Sequence, residues 1–151
     1  MSKYILLSIT LIFIFLSQGC KNVDCSLDKI DQYFLKAGST YSFKMSDENY
    51  KPIAEGKIFI SNKQRLNISG TYTVDSTYRN DYPGISNMKG EFTAKENEDD
   101  NTVTLNTNPK ISDKNIIFEF SLRLNKIDGS WYCMTPQGRI AEGILTGMKI
   151  K

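Results

Sequence analysis

The sequence predicts an all-β protein: a meander of about eight antiparallel strands closed into a barrel, with a short N-terminal helix. Three observations carry that expectation. Beyond residue 39, apolar side chains recur at every second position, so each segment has one face for a core and one for water. Most segments are joined by short runs rich in Gly, Asn, Asp and Pro, which suits hairpins. Glycines at 56, 70, 90, 129, 143 and 147 fall inside or beside the segments, as in sheets that coil tightly or bend at bulges. A closed meander leaves no exposed strand edge. The same pattern also permits a two-sheet sandwich, or an open sheet covered by the helix.

The helix is expected first. Ser26 is a capping residue, Leu27, Ile30, Phe34 and, at the side, Tyr33 keep a 3.6-residue period, and Gly38 closes it. The period then becomes two. Residues 40–46 align Tyr41, Phe43 and Met45, and residues 54–61 contain Ile58 and Ile60, before an expected turn at Asn62-Lys63. Residues 65–74 place Leu66, Ile68, Gly70, Tyr72 and Val74 on one side. Residues 86–96 do the same with Met88, Gly90, Phe92 and Ala94. An acidic hairpin tip, Glu98 to Asn101, precedes Val103 and Leu105. In 115–125 the inner row is Ile116, Phe118, Phe120, Leu122 and Leu124, and Asp128-Gly129 is the expected turn after it. Trp131 and Cys133 then share a face. After a turn at Pro136 to Gly138, the last segment aligns Ile144, Met148 and Ile150, with Leu145 on the polar side.

The N-terminus is of another kind. Lys3 precedes thirteen uncharged residues, Tyr4 to Leu16. That length suits the apolar core of an export signal and is short of the ~20 residues a bilayer-spanning helix needs. Leu16-Ser17-Gln18-Gly19-Cys20 resembles the lipobox of bacterial lipoproteins, with Gly19 at the cleavage position and Ser17 where leucine is usual. The resemblance implies a signal peptide over residues 1–19, an acylated Cys20 (palmitate or a similar chain) and a tether over 20–26; the remaining length, 27–151, is that of one domain. The resemblance also implies residence in a bacterial cell envelope, at the outer membrane facing the periplasm or the surface. With Cys20 lipidated, Cys25 and Cys133 remain as an even pair in an oxidising compartment, and a disulfide between them is expected.

Without residues 1–19, eighteen basic residues face seventeen acidic ones, a formal charge of +1. So near-neutral a chain gives no electrostatic case for a nucleic-acid partner. There is no histidine, which removes the usual general base near neutral pH and a common metal ligand. Neither a nucleophile elbow nor a phosphate-binding glycine loop is present. No cofactor, metal or catalytic residue is therefore expected.

Two binding readings remain. Residues 75–85 form the longest connection and display Tyr78, Arg79, Asp81 and Tyr82, residue types that interfaces favour. This suits an envelope protein that binds or inhibits a partner protein, unless the tyrosines lie down as a lid. The alternative is a carrier whose inner face, with Tyr72, Phe92, Phe118, Phe120 and Trp131, lines a cavity for a small apolar ligand. Eight strands, a capping helix, a disulfide from the N-terminus to a late strand and the run Gly129-Ser130-Trp131 resemble the lipocalin-like (calycin) barrels. That resemblance implies such a cavity.

Overall fold

The computed structural model describes residues 35–79, 81, 88–110 and 115–151, all within the compact unit Gln32–Lys151. The expected helix, Cys20, Cys25 and Tyr82 lie outside the described residues. Eight strands follow in order: β1 (Thr40–Ser46), β2 (Pro52–Gln64), β3 (Asn67–Thr77), β4 (Lys89–Asn97), β5 (Thr102–Asn106), β6 (Asn115–Arg123), β7 (Lys126–Thr135) and β8 (Gly138–Lys149). Each pairs antiparallel with the next, and β8 returns to β1 with Tyr41 opposite Lys149, so the meander is a closed barrel. Its lower end carries Leu35, the β2–β3, β4–β5 and β6–β7 turns and the end of β8. Its upper end carries the β1–β2 and β7–β8 turns and the two longer connections after β3 and β5.

The interior is built from rings set against glycines. Across the ladders Phe92 faces Gly70 and Tyr72 faces Gly90. Phe43 stands between Gly56 and Gly147, Phe120 faces Gly129 and Trp131 faces Gly143. A methyl group on Gly70 would come within 2.7 Å of the Phe92 ring and also meet the Phe59 carbonyl oxygen; one on Gly90 would come within 2.8 Å of the Tyr72 ring. A small barrel must spend little volume on one strand where it spends much on the next. Phe43 and Phe118 meet with ring centroids 5.2 Å apart, tilted at 53°, a favourable aromatic geometry. Trp131, 0% exposed, donates its indole N–H to the Ser46 carbonyl at 2.8 Å.

That rule corrects the expected face of β8. Leu145 is fully buried, whereas Met148 and Ile150 are exposed. The inward positions of β8 include Gly143 and Gly147, which yield to Trp131 and Phe43, so counting apolar residues inverts the strand. The turn after β6 is also displaced. It is Leu124-Asn125, both at positive φ (49° and 65°), with Arg123 opposite Lys126. Leu124 is thus exposed at a two-residue hairpin tip, and Asp128-Gly129 lies inside β7. The turn after β2 falls at Arg65-Leu66 rather than 62–63, with Arg65 at φ 55°. Met88 precedes β4 and is exposed.

Candidate functional site

The upper end gathers most of the residues expected to meet a partner. The β1–β2 turn is shaped by Asp47, which is buried. Its Oδ1 accepts the backbone N–H groups of Asn49 and Lys51, both at 2.9 Å. Its own N–H donates to the Lys51 carbonyl at 2.9 Å, and the Tyr50 N–H donates to the Asp47 carbonyl at 3.0 Å. An aspartate opening a turn satisfies its donors in this way. Here the turn also forces Tyr50 to φ 61°, a region where a large non-glycine residue is uncommon, and leaves its side chain 77% exposed.

The connection after β3 is tied to the same carboxylate. The Arg79 Nη1 group donates to Asp47 Oδ2 at 3.2 Å. The Nε and Nη2 groups of the same side chain donate to the two oxygens of Asp81, at 3.1 and 2.9 Å. This two-point grip fixes the plane of the guanidinium and holds the Asp81 carboxyl below its ordinary value. The Tyr78 N–H donates to the Ile53 carbonyl at 2.8 Å, anchoring the connection on β2. The phenol of Tyr78 bonds to Glu55, which raises its pKa, and the ring is 53% exposed. Tyr78 therefore stands in water and does not lie over the barrel mouth as a lid.

Of the four expected contact residues, Tyr78, Arg79 and Asp81 come together, and Tyr82 lies outside the described residues. The sequence reading missed Asp47 and Tyr50. An Asp starting a five-residue connection, with a tyrosine three places on, is the available signal.

The five residues expected to line a ligand cavity do face inward, and all are buried. The space that Gly70 and Gly90 release is occupied by the rings of Phe92 and Tyr72. A depression of about 240 Å³ beside Tyr72, Gly90, Glu91 and Thr107 to Lys110 opens at the upper end. It is smaller than the ~300 Å³ at which small-molecule sites begin. A larger open one, about 660 Å³, lies on the wall by Thr93, Lys95, Thr104 and Asn106. Burial raises the pKa of Tyr72. Cys133 is fully buried on the inner face of β7, between Ile116 and Ala141, so a bond to Cys25 would require that cysteine to reach the inside of the barrel.

The architecture is that of an eight-stranded antiparallel meander barrel, compatible with a calycin-like barrel. No protein-family model, curated protein or solved structure matches the chain.

Proposed function

We propose that this is a lipid-anchored envelope protein that binds or inhibits a partner protein through its upper end. One observation carries the reading: Tyr50 and Tyr78 are presented to water on two loops that Arg79 joins through buried Asp47. Tyrosine and arginine provide large amphipathic contact, and fixing them beforehand lowers the entropy lost on docking. The contact set is Tyr50, Tyr78, Arg79 and Asp81, with Tyr82 on the same connection. Carriage of a small apolar ligand is the weaker reading, because the rings of Phe92 and Tyr72 would first have to leave the positions they fill.

Affinity capture from envelope extracts, followed by titration of the captured protein, tests this. Tyr50→Ala and Tyr78→Ala are each expected to weaken binding about thirtyfold, the scale of a hot-spot residue. Capture of the same proteins at unchanged affinity by the double variant would refute the reading. Anchoring is tested apart from binding: mass analysis of membrane-extracted protein should show residues 1–19 lost and Cys20 acylated.

A further inference from the structure

On the outer wall several cationic side chains sit in ion pairs. Lys44 meets Glu55 at 3.8 Å, Lys57 meets Asp75 at 3.0 Å, Lys110 meets Glu91 at 2.7 Å and Arg139 meets Glu142 at 3.5 Å. At the lower end around β8, four cations outside such pairs are grouped together. Arg123, Lys126, Lys149 and Lys151 make no ion pair among the described residues. The first carboxylate up β7 from Lys126 is Asp128. Between these cations stand Leu124, Met148 and Ile150, all more than half exposed. The ladder holds them together: Lys126 is opposite Met148, the Lys149 N–H donates to the Asn125 carbonyl at 2.7 Å, and the Ile150 N–H donates to the Thr40 carbonyl at 2.8 Å. Thr40 in turn is opposite Phe59, which is also exposed.

We propose that this edge docks on an anionic lipid surface, with Leu124, Met148 and Ile150 entering the interface and the four cations meeting headgroups. A hairpin tip and strand end, apolar at the point and cationic at the flanks, has the composition of an interfacial contact. Long basic side chains can keep their charge at the headgroups while their stems cover apolar surface. The chain's own path favours lipid as the occupant. Leu35 sits at this same lower end, its N–H bonded to Glu96. Fourteen residues lie between it and Cys20, a reach of at most about 50 Å. An acyl chain on Cys20 would hold the barrel within that distance of the bilayer, with the chain entering the barrel at this end. The acidic turn Glu98 to Asp100 is on the neighbouring hairpin, since β5 pairs with β6 and Thr102 is opposite Ser121, so the barrel would tilt to lift that hairpin and put β7–β8 down. A tilted strand of this length spans about 25 Å, which would hold Tyr50 and Tyr78 that far out. This orientation rests on the anchored, partner-binding reading. The lipid contact itself does not, and the test keeps them apart.

The test is vesicle co-sedimentation of the non-acylated chain, residues 20–151 with Cys20→Ser, using phosphatidylglycerol-containing and pure phosphatidylcholine vesicles. Circular dichroism of every variant checks the fold. Binding is expected on the anionic vesicles, and it should fall steeply with added salt. Lys126→Glu and Lys151→Glu should each lower the partition coefficient at least fivefold, about the effect of one charge at such a surface. Leu124→Ser with Ile150→Ser should lower it further, while Lys51→Glu at the upper end should change it less than twofold. Equal partition into neutral and anionic vesicles, or no partition into either, would overturn the proposal. So would an equal loss from Lys51→Glu. Dimerisation in solution that Leu124→Ser and Ile150→Ser abolish, without vesicle binding, would assign the edge to a second copy and overturn it as well.

Discussion

Each end of the barrel is fastened by a buried carboxylate, and the two do different work. At the upper end Asp47 serves its own turn, through Asn49 and Lys51, and one distant group, Arg79, thirty-two positions on. At the lower end Glu96 serves no neighbour in sequence. It accepts the Leu35 N–H at 3.1 Å and Lys63 Nζ at 2.6 Å, sixty-one and thirty-three positions away. Glu96 continues the inner row of β4 beyond Phe92 and Ala94, where a charge is costly unless paired. Asp47 thus shapes a surface, while Glu96 ties the chain's entry to the barrel. The contrast shows that a buried charge can order a display or hold a connection, depending on the sequence distance of its partners.

Removing each carboxylate should break the comparison unequally. Glu96→Ala takes the acceptor from Leu35 and the counter-charge from Lys63. Breaking a buried pair costs about 3–5 kcal/mol, and Lys63 is about a quarter exposed, so about 3 kcal/mol is expected here. Thermal unfolding should show this as a fall in Tm of roughly 10 °C. Hydrogen exchange should speed up first at the Leu35 amide. Glu96→Gln, which keeps an acceptor for Leu35, should recover part of the loss.

Asp47→Ala should cost less, about 2 kcal/mol, from two turn hydrogen bonds and one partly exposed ion pair. Its signature is local: faster exchange at Asn49 and Lys51, with Leu35 unaffected. It should also weaken capture of any partner as much as Tyr50→Ala does, because Tyr50 loses the turn that holds it at positive φ. Full partner binding by a folded Asp47→Ala protein would separate the display from its proposed support.

How far these arrangements are legible depends on what fills the inner positions. In β6 every inward residue is large and apolar, from Ile116 to Leu122, and the strand is plain in the sequence. In β8 inward glycines give their space to Trp131 and Phe43, and the strand reads inside out. Leu124 reads as an inner residue because alternation has no mark for a turn, although Asn125 tolerates the positive φ that the hairpin needs. Arg79 and Asp81 stand out by residue type. Asp47 does not, since its value lies in a contact with Arg79 that only the pairing of β1, β2 and β3 creates.

Alkaline titration sharpens the contrast between the two ends. Tyr41, near Glu96, has its pKa raised chiefly by burial, and Tyr78 has its raised chiefly by the bond to Glu55. In both, the folded value lies above the ordinary one of about 10. The unfolded chain therefore ionises first, and the stability each gives is full below about pH 10 and is lost as pH rises through the folded value. Phenolate absorbance read beside far-ultraviolet circular dichroism should show Tyr78 ionising within the intact barrel. Tyr41 should ionise only as the barrel opens. Tyr41→Phe should postpone alkaline unfolding more than Tyr78→Phe, because solvent screens the exposed Tyr78; the reverse order would mean that the lower end is the more open of the two.

The smallest effect is expected at Asp81. Its carboxyl is fully in water and is held below its ordinary pKa first by the hydrogen bonds from Arg79. A depressed acid contributes stability above its unfolded value, near 4, and loses it as pH falls through the folded value, so any effect belongs to strongly acid solution. At neutral pH, Asp81→Asn should leave Tm almost unchanged, as exposed ion pairs contribute little. What should change is the freedom of Arg79. With Asp81 ionised, the guanidinium is fixed between two carboxylates; in the amide variant it keeps Asp47 and loses the two-point grip. Nuclear magnetic resonance of the Arg79 Nε–H should show faster solvent exchange in Asp81→Asn than in the parent. If partner capture relies on a fixed Arg79, the variant should bind severalfold more weakly without unfolding any earlier. An unchanged Nε–H exchange rate would show that the guanidinium is held in place without Asp81.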